Sequence, residues 1–133
     1  MVKNVLLIDD DTDDARFFSD ALSELNLATN FRYVNDGDTI FSELVRKEDF
    51  IPDIIFLEIN MPVISGWECL RELKFVAELR SIPIVMYSSG DIENLGSSPA
   101  DVGATAFMRK PSTLDQLKSK LNQVMGAIFH YDH

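Results

Sequence analysis

Apolar residues fall into five short runs along the chain: VLLI at 5–8, FRYV at 31–34, IIFL at 54–57, IVMY at 84–87 and AFM at 106–108. Each has the length of a strand, whereas the segments between them carry helical spacing. Ala15, Phe18, Leu22 and Leu25 share one face of the first such segment; Leu114, Leu117, Leu121, Val124 and Ile128 share one face of the last. The last segment opens with Ser112 and Asp115 spaced as a capping box, which predicts a helix start there. A second helix is expected from about Asp38, after the turn-like Asn35-Asp36-Gly37, to a stop before Pro52. A third is expected from Gly66 to about Leu79, with Pro83 separating it from the next strand. The fourth segment is interrupted by Gly96, Ser97, Ser98 and Pro99, which predicts a loop and then a short helix from Ser98 with Pro99 at its first position.

Strand alternating with helix implies an α/β fold with a parallel sheet covered on both faces, because parallel neighbours need a crossover connection. That explains why IIFL and IVMY are unbroken apolar runs. With 133 residues and 46% hydrophobic content, the chain has room for one domain around one core. A net charge of −10 argues against nucleic-acid backbones and anionic membranes as partners, while leaving proteins and cations open. The single cysteine, Cys69, has no internal disulfide partner, and it falls in a helical pattern as a small apolar residue. No apolar run is long enough for a signal peptide or a membrane span, so a cytoplasmic location without membrane insertion is expected.

Ligands of open parallel sheets bind beyond the carboxyl ends of the strands. The first strand delivers Asp9 and Asp10 there, the third Glu58, the fourth Ser88 and Ser89, and the fifth Lys110 followed by Pro111. Crowded carboxylates repel one another, and a hard divalent cation, a lysine or a proton relieves the repulsion. Mg²⁺ together with Lys110 is the preferred reading. A cation, an ammonium and a hydroxyl are also what phosphoryl transfer needs, since that chemistry is mostly positioning and charge neutralisation. Asp11, Asp13 and Asp14 read as a solvated helix start, and Asp53, at the opposite end of the third strand, as a solvated strand start. An EF-hand is excluded, because its sixth-position glycine would be Asp14 and its twelfth-position glutamate Asp20.

At this point the chain resembles the receiver domain of bacterial two-component response regulators. The resemblance rests on LLIDD, PDIIFLEINMPVISG, PIVMYSS and GATAFMRKP in that order, and it spans nearly the whole chain, read as one receiver domain over 1–133 without an effector domain. It implies a flavodoxin-like, doubly wound five-stranded sheet of order 2-1-3-4-5. It also implies Mg²⁺ held by Asp9, Asp10, Glu58 and the backbone carbonyl of Asn60, with Ser88 bonding a phosphoryl oxygen and Lys110 pairing with the acidic site through a cis Lys110-Pro111 bond. Phe107 falls where the family places an aromatic that changes rotamer, although without a hydroxyl its switching would be a matter of packing alone. Implied partners are a sensor histidine kinase or phosphotransfer protein, and a downstream protein that reads the face of the fourth helix, fifth strand and fifth helix.

The departure from the family pattern is Glu58, where the phosphoacceptor is aspartate. Glutamate is longer by a methylene, about 1.5 Å of bond, and a misplacement of about 1 Å can cost on the order of a hundredfold in rate. A receiver working without ordinary phosphorylation is therefore expected. Two other readings compete with it. Asp9-Asp10-Asp11-Thr12 is similar to the DxDxT signature of haloacid-dehalogenase-type phosphohydrolases, with Asp9 as nucleophile and Asp11 as acid/base, but the late metal-binding motif is missing. In a purely structural reading, Glu58 pairs directly with Lys110 and the domain is a docking surface.

Overall fold

The computed structural model describes residues 2–35, 50–61, 65–77, 79–90 and 99–130. Strand and helix alternate as β1 (Lys3–Ile8), α1 (Thr12–Ser23), β2 (Thr29–Val34), β3 (Ile54–Glu58), α2 (Gly66–Phe75), β4 (Ile84–Ser88), a 3-10 turn (Ala100–Val102), β5 (Ala106–Arg109) and α3 (Leu114–Phe129). All neighbouring strands are parallel, and the sheet order is β2-β1-β3-β4-β5, as the resemblance implies. The expected second helix lies outside the described residues, as do Pro62 and the loop at 91–98.

Both faces of the sheet are buried, and the period of two along each strand divides its residues between two cores. Val5, Leu7, Ile54, Phe56, Val85, Tyr87 and Met108 face α1 and α3; Leu6, Ile8, Ile55, Leu57, Ile84 and Met86 face α2. Phe18 centres the first core, stacked on Phe31 and edge-on to Phe56 and Tyr87 with ring centroids 4.9–5.7 Å apart. From α3 the fully buried residues are Leu117, Leu121 and Met125, with Leu114, Val124 and Ile128 at their margin. Cys69 is buried in α2, and burial pushes its thiol up to about 12, so it packs as an apolar residue and is not a nucleophile.

Several boundaries differ from those expected. α2 stops at Phe75, because Val76 is extended (φ −83°, ψ 117°) and the chain turns to bury Leu79 and Ile82 ahead of β4. Lys74 and Arg80 clasp that turn, each side chain bonding the other's carbonyl. The α3 cap is Thr113, one residue later than expected: its hydroxyl accepts from Gln116 N at 3.2 Å, while Gln116 Oε1 accepts from the Ser112 hydroxyl at 3.3 Å, so the pairing is not the Ser112-Asp115 box. After Pro99 the chain makes a single 3-10 turn in place of a helix, ended by Gly103 at φ 85°. Asp53 is a structural partner as well as a strand start: its Oδ2 accepts from Asn4 N at 2.7 Å while its N–H donates to Asn4 O, tying β1 to β3.

The turn between β3 and α2 is fixed by a close backbone approach. Gly66 N donates to Ile59 O at 2.8 Å, and a Cβ at residue 66 would come within 2.7 Å of Ile59 Cα and closer still to the Glu58 carbonyl. Backbone on both sides of the contact cannot yield as a side chain tip would. Gly66→Ala is therefore expected to destabilise the fold by about 1–3 kcal/mol, against the small gain that alanine usually brings to a helix; urea unfolding measures it.

Candidate functional site

Strand parity decides which rim residues meet. Asp9 follows Val5 and Leu7, Glu58 follows Ile54 and Phe56, and Lys110 follows Ala106 and Met108, so all three point toward α1 and α3. The ladder continues past the strand ends, with Asp9 N bonded to Val34 O and Lys110 N to Ser88 O, and this preserves the parity. Ser88 and Phe107 have the opposite parity and lie toward α2.

Lys110 joins the site together. Its side chain is 8% exposed, and Nζ lies 2.7 Å from Asp9 Oδ2, 2.7 Å from Asp14 Oδ2 and 3.7 Å from Glu58 Oε2. The contact with Asp14 is a hydrogen bond, and that with Asp9 is an equally short ion pair. Nζ also sits 5.2 Å from the centroid of the Tyr87 ring. The docking-surface reading expected a direct Glu58–Lys110 pair; that ion pair is present at 3.7 Å, but the lysine's shorter contacts go to Asp9 and Asp14. Lys110 achieves this with a trans Lys110-Pro111 bond, the form X–Pro favours by about 0.5–1 kcal/mol, so the expected cis isomer is not present.

Asp14 was read as part of a solvated helix start and is instead a member of the site. The signal for it was available: Asp14, Phe18 and Ala21 follow helical spacing, and the latter two are buried. Asp11 behaves as expected of a helix start, capping α1 by accepting from Asp13 N and Asp14 N at 2.9 and 3.1 Å. Tyr33 is a second unforeseen neighbour, its hydroxyl donating to Asp9 O at 2.6 Å.

Desolvation sets the titration of the rim. Burial raises Asp9, against the lowering effects of Lys110 and the Asp11 N–H that bonds it. Glu58, 5% exposed, is pushed up to about 7 by burial, with Lys110 opposing the shift and Asp9 adding to it. Burial works to lower Lys110, but its contacts with Asp14 and Asp9 and the charge of Glu58 prevail, and its pKa rises above 10.5. The ammonium is therefore charged at any physiological pH.

Ser88 is 1% exposed, and its Oγ accepts from Gly90 N at 3.1 Å, which leaves the hydroxyl proton free to donate. Phe107 is partly buried and meets Trp67 edge-on at 6.2 Å. Asp10 and Asn60 are exposed, and among the described residues no three His, Cys, Asp or Glu side chains are gathered as a metal group. The donor chemistry nevertheless fits Mg²⁺: Glu58 Oε2 is a buried oxygen without a hydrogen bond, Asp9 Oδ2 is buried beside it with only the Lys110 ammonium against it, and both are hard ligands.

These shifts carry a sign. Glu58 titrates at about 7 in the fold against an ordinary 4.5, so the folded state holds its proton more tightly than the unfolded chain does. The charged form thus costs stability, the cost growing from about pH 4.5 to about pH 7 and constant above. In metal-free buffer Glu58→Gln is expected to raise stability by about 1–3 kcal/mol at pH 8 and by much less at pH 5. Urea titrations at the two pH values check it, and an equal effect at both would contradict the assignment.

Comparison with known proteins accords with this geometry. Chemotaxis protein CheY-3 of Vibrio cholerae is 27% identical over 124 residues, covering 93% of this chain and 92% of its own. Protein PilH of Pseudomonas aeruginosa is 28% identical over 122 residues, 92% of this chain and 98% of its own. Among solved structures, the phosphorylated cyanobacterial phytochrome response regulator RcpA superposes with a TM-score of 0.82 at 24% identity, covering 100% of this chain and 98% of that one. The Mn²⁺-bound form of response regulator Rcp1 gives 0.76 at 21% identity, with 93% and 92% covered. None of this supports the haloacid-dehalogenase reading of Asp9 and Asp11. The family model for the response regulator receiver domain matches residues 5–122, and the chain belongs to that family of signal-transduction domains.

Proposed function

We propose that this receiver domain works in a phosphorelay pathway through protein–protein contacts and without ordinary aspartyl phosphorylation. The observation that carries the proposal is Glu58: it ends β3 at the acceptor position, buried, with Oε2 lacking a hydrogen bond. Its longer side chain displaces the carboxylate from where an aspartate would meet a phosphodonor, and in-line attack tolerates little displacement. With a pKa near 7, Glu58 also carries at most one negative charge, against about −1.5 to −2 and three acceptor oxygens for a phosphoryl group. It imitates phosphorylation in part.

Asp9, Asp10, Glu58 and the backbone carbonyl of Asn60 are proposed to hold Mg²⁺, which when bound would neutralise the crowded carboxylates. A metal-bound form of Rcp1 supports this by likeness of fold. The residues themselves do the rest: Lys110 balances the buried charge, Ser88 offers a hydroxyl proton, and Phe107 with Trp67 would relay a change of packing. Partners are a sensor histidine kinase or phosphotransfer protein and a downstream target in the cytoplasm; the domain itself turns over no substrate. Among the described residues no helix is long and apolar enough to cross a membrane. A groove between β5 and α3, lined by Thr105, Phe107, Lys120, Val124 and Ile128, offers the target a mixed apolar and basic surface.

Incubation of the protein and of Glu58→Asp with Mg²⁺ and a small phosphodonor, followed by intact-mass measurement, tests this reading. Glu58→Asp is expected to gain a phosphoryl group and the parent protein none. A phosphoryl adduct on Glu58 itself would overturn it.

A further inference from the structure

We propose that Asp14 is a positioning residue: it holds the Lys110 ammonium on the α1 side of the rim and so keeps Glu58 Oε2 open to an incoming divalent cation. This rests on the cation-binding reading above. The lysine has three carboxylates within reach, and it does not sit evenly among them. Nζ is 2.7 Å from Asp14 and Asp9 but 3.7 Å from Glu58, whose Oε2 is left without a hydrogen bond although it is buried.

An ammonium is a competitor for the oxygens a cation needs. Asp9 already holds Nζ at 2.7 Å, so without a counter-charge on α1 the remaining buried acceptor within reach is Glu58 Oε2, and closing that gap would satisfy both groups. Asp14 prevents it. The carboxylate projects from the first turn of α1, whose start is fixed by the Asp11 cap, and it accepts a hydrogen bond from Lys110 Nζ at 2.7 Å. The Tyr87 ring beneath Nζ holds the ammonium on the same side. Asp13, the preceding residue in the same turn, is exposed and supplies a control of equal charge.

Two measurements test the proposal. In calorimetric titrations with Mg²⁺, Asp14→Asn is expected to weaken binding roughly three- to tenfold beyond the effect of Asp13→Asn, the scale of one charge interaction near a protein surface. In a Lys110→Met background the two variants should have equal effects, since the competitor is gone. Equal effects with Lys110 present would overturn the proposal. In a crystal structure of metal-free Asp14→Asn, Nζ is expected to close on Glu58 Oε2 to hydrogen-bond distance, about 2.8 Å; a lysine left in place would equally overturn it. If the parent protein binds no Mg²⁺, the cation reading fails alone, and the lysine's position in Asp14→Asn still decides what Asp14 does.

Discussion

Burial of the central strands on both faces is the constraint on which the rest depends. β1, β3 and β4 have no solvated side along their buried stretches, so the charged and hydroxyl-bearing groups appear only toward the strand ends. The strands run parallel and their carboxyl ends therefore share one edge, which brings the chemistry-bearing residues together without any contact among them being specified locally. Glu58 and Ser88 end buried strands and Asp9 directly follows one, and these three are the buried polar or charged residues among the described residues.

A buried carboxylate is costly, and two of them face one another here with a single ammonium between them. Removing the lone cation of such a group typically costs about 3–5 kcal/mol, because the carboxylates are left uncompensated, whereas neutralising one of two carboxylates does not. Lys110 is thus as much a structural as a functional residue. Desolvation acts in opposite senses on its neighbours, raising Glu58 and Asp9 while opposing the charge of Lys110. The site thus gathers two buried carboxylates whose negative charge burial disfavours and Lys110 offsets in part.

The turn after β3 adds a mechanical element. Gly66 brings the start of α2 against the backbone of Glu58 and Ile59, so the backbone that carries Glu58 is fixed by the turn that follows it. Trp67 follows directly and touches Phe107 on β5. The packing of the acceptor turn and that of the β5 surface are therefore joined through two aromatic rings.

Strand positions, the parallel sheet and the set Asp9, Glu58, Ser88 and Lys110 were legible in the sequence, because two-sided burial writes unbroken apolar runs and parallel strands must end on one edge. Sheet order came by resemblance, since hydrophobic pattern fixes which residues are buried but not which strand neighbours which. The α3 cap was misplaced by one residue because Ser112 and Thr113 both satisfy the local rule, and only the Thr113 hydroxyl reaches the free Gln116 N–H. The helix after β3 was overextended because its spacing continues past Phe75, whereas the core requires Leu79 and Ile82 to be turned inward. What the tertiary structure alone decided is the partner of Lys110. Sequence brings several carboxylates within reach of one ammonium, but the choice of Asp14 over Glu58 depends on the angle at which α1 packs on the sheet, and that angle is set by residues far apart in the chain.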